Sequence, residues 1–192
     1  MEAHAILTDY LRKNSSFGSD EIETICSFFK SHSLAKEEPL FEKGSRFSKI
    51  VFVAEGILRS FINDENGEEI VKTFISPHEF FAEIDSFEKE TPCAFNVNAV
   101  TPCKLLTLSK TDSVALTKKL PEWQTAMQHA AMKAMNAMIR KQEFLSLGEA
   151  TDKYRHFIKQ FPDVAQQVPL KHIASYLQIT QSSLSRIRRQ GW

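Results

Sequence analysis

VPLKHIASYLQITQSSLSRIRRQ, residues 168–190, contains two short helical patterns separated by a break. In the first pattern, apolar residues follow the i, i+3, i+4, i+7 spacing of one helix face: Leu170, Ile173, Ala174 and Leu177. Pro169 suits the start of that helix, because its missing N–H would have no partner there in any case. The break covers residues 178–180, and Gln178 stands where a glycine often eases the end of a helix.

The second pattern predicts a helix that begins after Thr180. The Thr180 hydroxyl can cap this helix, and Ile179 can pack onto Leu184 as a hydrophobic staple. Leu184 and Ile187 would be buried. Six polar residues would face outward: Gln181, Ser182, Ser185, Arg186, Arg188 and Arg189. A tail that bound by charge alone would need neither cap nor staple, so we predict a helix-turn-helix. The alternative is a two-helix hairpin that only packs on the rest of the chain.

The outward side chains suit the reading of DNA. Arg186 can donate its planar fork to guanine, Gln181 can pair with adenine, and the hydroxyls of Ser182 and Ser185 can reach bases or phosphates. Three further cations suit phosphate neutralisation: Lys171, Arg188 and Arg189. The chain has 24 basic and 24 acidic residues, of which seven basic residues and one acidic residue fall in 153–192. A basic end on a neutral chain indicates a polyanionic partner.

Upstream of this end, the pattern changes twice. Residues 3–31 have helical spacing, with Ser19 as a candidate cap. Residues 34–108 contain short apolar alternations broken by turns, and residues 64–67 (DENG) are a hairpin signal because Asn-Gly accepts positive φ angles. Several short strands at this spacing predict an antiparallel barrel or sandwich. Helical spacing returns at about Thr111.

A long helix is predicted from Pro121 to Ser146, about 39 Å in length. Lys141 alone interrupts its heptad-like seam of apolar residues: Trp123, Met127, Ala130, Ala134, Ala137 and Phe144. Small residues along a seam allow close packing against an identical partner, so we expect a dimerisation helix. The alternative is a single buried helix in which three methionines fill gaps: Met132, Met135 and Met138.

Composition argues against several classes of protein. The first residues show no basic segment followed by an apolar run, and no stretch approaches the roughly 20 apolar residues of a membrane helix. We therefore expect a cytoplasmic protein without a membrane partner. Neither a disulfide framework nor a metal knuckle is expected from the three distant cysteines, Cys26, Cys93 and Cys103. We expect no metal and no cofactor. A cupin-like barrel enzyme is an alternative, although no second barrel histidine joins its nearest ligand group, His78, Glu79 and Glu83.

Three stretches together resemble the Crp/Fnr family of bacterial transcription regulators: LFEKGSRFSKIVFVAEGILRSFINDENGEEI (40–70), FFAEI (80–84) and IASYLQITQSSLSRIRR (173–189). The resemblance implies an α+β fold in three parts. These are a cyclic-nucleotide-binding-type antiparallel β-roll with N-terminal helices over 1–118, a long dimerisation helix over 119–147, and a small all-helical helix-turn-helix domain over 148–192. It also implies that Gly44 and Gly56 turn the chain between strands.

On that resemblance, the chain is a homodimeric DNA-binding transcription regulator and not an enzyme. Its two recognition helices would enter successive major grooves of an inverted-repeat site in double-stranded DNA, about 34 Å apart. RNA polymerase is a further implied partner. The chain resembles the shorter, wingless members of the family, in which the recognition helix ends the domain. Binding is then expected to depend more strongly on three arginines: Arg186, Arg188 and Arg189.

The presumed ligand pocket departs from the family pattern. Members that bind cyclic nucleotides have a Gly-Glu pair for the ribose and a later arginine pair for the cyclic phosphate. Here these segments hold other residues: Ala82, Glu83, Ile84, Cys93 and Ala94. No arginine lies between Arg59 and Arg140. A buried phosphodiester would lack its charge-assisted hydrogen bonds, so we expect no standard binding of cAMP or cGMP. The alternatives are core packing or a non-standard small ligand held by an apolar lining: Phe80, Phe81, Ile84, Phe87 and Phe95.

Overall fold

The computed structural model describes residues 3–146 and 148–190. The described residues form eight strands: β1 (Lys30–Leu34), β2 (Pro39–Phe41), β3 (Lys49–Glu55), β4 (Leu58–Asn63), β5 (Glu69–Ile75), β6 (Phe80–Phe81), β7 (Asn96–Ala99) and β8 (Cys103–Ser109). They also form nine helices: α1 (Ala3–Asn14), α2 (Ser19–Phe28), α3 (Ile84–Lys89), α4 (Lys110–Lys119), α5 (Glu122–Ser146), α6 (Ala150–Gln160), α7 (Pro162–Gln167), α8 (Leu170–Leu177) and α9 (Gln181–Arg189).

The strands form two four-stranded antiparallel sheets. Their orders are β1-β8-β3-β6 and β2-β7-β4-β5. Alternate side chains from both sheets meet in an apolar layer between them, which includes Val51, Leu58, Val97 and Leu105. All four of these side chains are fully buried. The predicted antiparallel β-roll and the α+β class are therefore confirmed.

Helices cover the outer face of each sheet. The sheet that contains β3 and β8 packs against α1, α2 and the start of α5, through residues such as Leu7, Phe52 and Leu106. The sheet that contains β4 and β5 packs against α6 to α9 through Val71 and Phe74. The helical C-terminal part thus shares one apolar core with the outside of the β-roll.

Two element boundaries differ from the sequence-based expectation. Strand β1 begins at Lys30, inside the segment predicted to be helical. Helix α2 begins at Ser19, but its cap is Gly18, whose backbone N–H donates to the Glu21 carboxylate at 2.7 Å. Ser19 is therefore the first helical residue and not the cap.

The predicted hairpin joins β4 to β5. The Asp64 carboxylate accepts hydrogen bonds from the backbone N–H groups of Asn66 and Glu68, at 2.8 and 2.9 Å. Gly67 supplies the left-handed backbone, with φ of 83°. Gly44 and Gly56 also have positive φ angles, as the family resemblance implies.

The long helix α5 is present at nearly its predicted length, but both ends of its seam face its own chain. Trp123 is 1% exposed, and its ring lies 6.0 Å from Phe29 and 6.2 Å from Phe80. Phe144 is 7% exposed and stacks on His156. Trp123 and Phe144 are therefore core residues of this chain. A partner helix could contact only the segment between them. Leu147, where the predicted dimerisation segment ends, lies outside the described residues.

The middle of α5 exposes a different stripe of apolar side chains. Met132, Met135, Met138 and Ile139 are between 51% and 64% exposed. They lie about a third of a turn around the helix from the predicted seam, given ~100° per residue. Within that seam, Met127, Ala130 and Ala137 are half-buried and Ala134 is exposed. The alternative in which the methionines fill gaps in the core of the same chain is therefore wrong.

Candidate nucleic-acid interface

Helices α8 and α9 form the predicted helix-turn-helix. The turn depends on Gln178, which adopts the left-handed conformation that glycine usually supplies, with φ of 56° and ψ of 44°. This conformation directs the Ile179 N–H back to the Ala174 carbonyl at 3.1 Å and so closes the end of α8. Ala174 is 2% exposed, and its small side chain lets the two helices approach.

The start of α9 has the predicted cap. The Thr180 hydroxyl accepts a hydrogen bond from the Ser183 backbone N–H at 3.1 Å. Ile179 packs against the apolar cluster that contains Leu184 and Ile187, both of which are buried. The orientation of α9 is thus fixed by a cap at its start and by two core residues along one face.

The opposite face of α9 carries the predicted DNA-binding residues. Gln181, Ser182, Arg186, Arg188 and Arg189 are exposed, and Ser185 is half-buried. Part of this face is a concavity of about 440 Å³ lined by Ser182, Ser183, Arg186, Arg189 and Gln190. Within the part of the chain that the structure describes, neither Arg186 nor Arg188 forms an ion pair with an acidic side chain.

Lys171 stands apart from the other predicted phosphate contacts. It is exposed on α8, and its charge contributes to lowering the pKa of Glu69 on β5. The main cause of that lowered pKa is the hydrogen bonding of Glu69 to Arg59. Lys171 therefore lies toward the β-roll side of the helix-turn-helix.

At the positions predicted to match the nucleotide-binding pairs, Glu83 and Cys93 form contacts within the chain. Glu83 is buried, and its carboxylate accepts the Ser86 backbone N–H, so that it caps α3. Cys93 is 2% exposed and lies in the apolar layer between the sheets. Ala82 is half-buried, and Ala94 is exposed. A helix cap and a core thiol thus stand at two of the predicted pocket positions.

The structure divides the predicted apolar lining among three locations. Phe81 and Phe95 pack between the sheets with Phe41. Phe80 and Phe87 belong to the cluster outside the sheet that contains β3. Ile84 is 60% exposed. These side chains therefore do not line one common cavity.

The alternative metal site is not assembled either. Across residues 3–146 and 148–190, no three His, Cys, Asp or Glu side chains are placed to hold a metal ion. The Glu79 carboxylate instead accepts the Ser76 N–H at 3.0 Å. His32 also lies on a strand, but it is exposed on β1 and does not join His78, Glu79 and Glu83 in a metal-binding group.

A buried polar cluster between the β-roll and α8 was not predicted from the sequence. Arg59 on β4, Glu69 at the start of β5 and His172 on α8 contact one another. A signal was present, because Arg59 follows an apolar run in a strand and His172 lies between Leu170 and Ile173 on the helix. Neither residue shows its partner in the linear sequence.

Comparison with known proteins is consistent with this architecture. Residues 31–119 match the family described as cyclic nucleotide-binding domain. A cAMP-activated global transcriptional regulator, CRP of Pasteurella multocida, is 24% identical over 88 residues. That match covers 46% of this chain and 42% of CRP, so the chain matches less than half the length of this curated relative.

Solved structures of similar fold extend over most of the chain. FixK2 from Bradyrhizobium japonicum has a TM-score of 0.72 at 13% identity and covers 84% of this chain and 83% of its own. The c-di-GMP-responsive global regulator CLP from Xanthomonas campestris has a TM-score of 0.71 at 14% identity, with 90% and 91% covered. The sequence match thus shows a cyclic nucleotide-binding domain over residues 31–119, and the solved structures show the same kind of fold over most of the chain. No described helix is both long and apolar enough to cross a membrane.

Proposed function

We propose that this chain is a homodimeric transcription regulator that binds an inverted-repeat site in double-stranded DNA through α9. The observation that carries the proposal is the exposed arginine face of a capped helix whose other face is buried in the core. A surface helix needs only the buried face to fold. Arg186 and Arg188 without acidic partners on the described surface favour contact with a polyanion.

Selection from a randomised pool of DNA duplexes tests the proposal directly. We expect the wild-type protein, without added ligand, to enrich an inverted repeat whose half-sites are about 34 Å apart. A matched variant in which Arg186 and Arg188 are both replaced by glutamine should enrich no sequence. Enrichment of the same repeat by that variant, or no enrichment by the wild-type protein, would contradict the proposed function.

The dimer is proposed to form through the middle of α5. Its exposed methionines and Ile139 make an apolar stripe on a helix that few other elements cover, and such stripes on long helices suit a second helix. A partner that crosses there would bury side chains that are now more than half exposed. The flexible thioethers would adapt to the facing surface.

Two charge substitutions on α5 test this interface. Met135→Glu should convert the dimer to a monomer at micromolar concentration, as measured by sedimentation equilibrium. Lys133→Gln makes the same change in net charge at an exposed position about 150° around the helix from the centre of the stripe, and should leave the dimer intact. A wild-type monomer, or equal dissociation of both variants, would exclude the stripe as the interface.

The sensor domain is proposed to have lost standard cyclic-nucleotide binding. Cys93 would have to leave the apolar layer, and Glu83 would have to leave its cap, before a nucleotide could use those positions. A ligand at about 100 times its Kd would raise the unfolding free energy by about 2.7 kcal/mol. We expect millimolar cAMP or cGMP to leave the Tm unchanged. A clear rise in Tm with either nucleotide would contradict this loss, and a rise with a small apolar ligand would favour the gated alternative.

A further inference from the structure

Arg59 is the centre of a polar cluster that joins three strands of one sheet. Its side chain is 2% exposed. The guanidinium donates to both carboxylate oxygens of Glu69, at 2.6 and 2.9 Å, and its Nε donates to the Asn98 side-chain oxygen at 2.9 Å. Such a bidentate ion pair fixes the relative orientation of the two side chains as well as their distance, because both groups are planar.

The same guanidinium reaches across to the helix-turn-helix. Arg59 Nη1 lies 2.7 Å from His172 Nδ1, and His172 is 3% exposed on α8. Arginine has only donors, so His172 Nδ1 must be the acceptor and the ring must be neutral. Burial, followed by the charges of Arg59 and Lys171, lowers the pKa of His172 to about 4, which agrees with that form near neutral pH.

Two further residues, Ser175 and Lys141, extend the connection along β5. The Ser175 hydroxyl donates to the Glu69 carbonyl at 3.0 Å and accepts the Val71 backbone N–H at 2.9 Å. Lys141 of α5 donates to the Lys72 carbonyl and lies 3.8 Å from the centre of the Tyr176 ring. A single contact would let α8 pivot, whereas contacts at separate points along β5 fix its angle.

This docking leaves the recognition face open. The residues of α8 that touch the β-roll lie away from the outward arginines of α9, which remain exposed while α8 is docked. The shared core supports the same arrangement, because Phe74 of β5 lies 5.3 Å from the Tyr176 ring and 6.1 Å from the Phe157 ring. The contacts therefore hold the DNA-reading unit in place without covering it.

We propose that the Arg59, Glu69, His172 and Ser175 contacts, here called the interdomain clasp, set the angle at which α9 is presented, so that a dimer fits both halves of its site at once. This inference rests on the proposed function. When both recognition helices are held at one spacing, binding of the second half-site becomes intramolecular and adds affinity. A loosened clasp would lower that gain, although each α9 would still bind a single half-site.

The test compares two substitutions that remove the same charge from the same hairpin. Glu69→Gln breaks the pair with Arg59, whereas Glu68→Gln changes an exposed carboxylate outside the clasp. Affinity is measured by fluorescence anisotropy for the selected inverted repeat and for a duplex in which one half is scrambled. We expect Glu69→Gln to weaken binding of the full repeat roughly tenfold relative to Glu68→Gln, with the half-site affinity of the two variants nearly equal.

A milder variant keeps the test valid if Glu69→Gln does not fold. Ser175→Ala removes the hydroxyl that bridges α8 to β5 and should speed hydrogen exchange at the Val71 amide without unfolding the protein. It should also weaken the full repeat more than the half-site. Equal weakening of both duplexes, or no difference from Glu68→Gln, would overturn the clasp as a positioning device. A wild-type protein that enriches no duplex would instead defeat the DNA-binding function itself, whereas unchanged Val71 exchange in Ser175→Ala would count against the clasp alone.

Discussion

The β-roll and the outer face of α9 differ in whether their key side chains are bound within the chain or exposed to solvent. In the β-roll, Glu83 caps a helix of its own chain, and Cys93 is buried among apolar side chains. On α9, Arg186 and Arg188 extend into solvent. A polar group that already has a hydrogen-bond partner in the chain must break that bond before it can bind a ligand. An exposed charge without a partner can bind one without breaking an internal contact.

This difference separates the two regions by how their polar groups are used. The helix-turn-helix keeps a cap, a closed turn and an open basic face. The β-roll has its sheets and turns, but Glu83 and Cys93 form contacts within the chain. We therefore expect substitutions in the β-roll and on α9 to have effects of unequal size.

The largest effect is expected from restoring the family's phosphate-binding pair. Cys93→Arg combined with Ala94→Ser would bury a charge in the apolar layer between the sheets and should lower the unfolding free energy by more than about 3 kcal/mol. Ala94→Ser alone changes an exposed position and should stay within about 0.5 kcal/mol. Urea denaturation with and without cAMP measures both. A stable double variant that cAMP stabilises further would show that the β-roll still has room for the nucleotide.

The next effect concerns the open face of α9. Arg186→Ala should cost roughly 1–3 kcal/mol in binding the selected duplex and relax the preference at one base pair. Arg188→Ala should weaken all sequences alike and reduce the salt dependence by about one unit. Anisotropy titrations over several salt concentrations and a panel of single-base changes separate the two. If both variants behaved alike, the roles assigned to these arginines would be incorrect.

Acid should loosen the connection between the two regions. The pKa of His172 is about 4 in the folded chain and about 6.5 in an unfolded one, so its neutral form favours folding. That contribution is complete above pH 6.5 and is lost as the pH falls toward 4, at no more than about 1.4 kcal/mol per pH unit. His172→Asn keeps an acceptor for Arg59 but does not titrate, so its unfolding free energy should fall less steeply over this range. Parallel slopes for the two proteins would contradict this origin.

The smallest effect is expected at the turn between α8 and α9. Gln178 has a left-handed backbone that disfavours a side chain. Gln178→Gly should raise the unfolding free energy by up to about 1 kcal/mol, because relief of strain exceeds the added flexibility of the unfolded chain. Thermal unfolding measures the change. The substitution should not alter DNA affinity, and a lower Tm would show that the Gln178 side chain makes a stabilising contribution.

Local signals predicted the local elements well. The cap at Thr180, the hairpin at residues 64–67 and the extent of α5 depend on neighbours in sequence, and each was predicted closely. The orientation of α5 was harder to predict. Its seam of small residues and its stripe of methionines lie on different faces of the same helix, and either face could be an interface. Burial of Trp123 depends on the rings of Phe29 and Phe80, which are distant in sequence.

The contacts between regions were not predictable from the sequence. Arg59 and His172 are separated by 113 positions, and their contact exists only because the sheet that contains β4 and β5 packs against α8. The missing arginine is visible in the sequence, and the loss of standard cyclic-nucleotide binding that it suggests stays a prediction. The contacts of Glu83, which caps α3, and of the packed aromatic rings became visible only in three dimensions.

The position of β5 at the end of its sheet has a consequence for handling the protein. Strand β5 pairs with β4 on one side, and on its other side the Ser175 hydroxyl occupies the Val71 N–H. Without α8, that N–H and its neighbours would form an open strand edge beside Val71 and Phe74, which are now buried. Open apolar edges recruit strands from other molecules. Because α8 covers this edge, the helix-turn-helix should also reduce aggregation, and we expect a β-roll produced alone to self-associate.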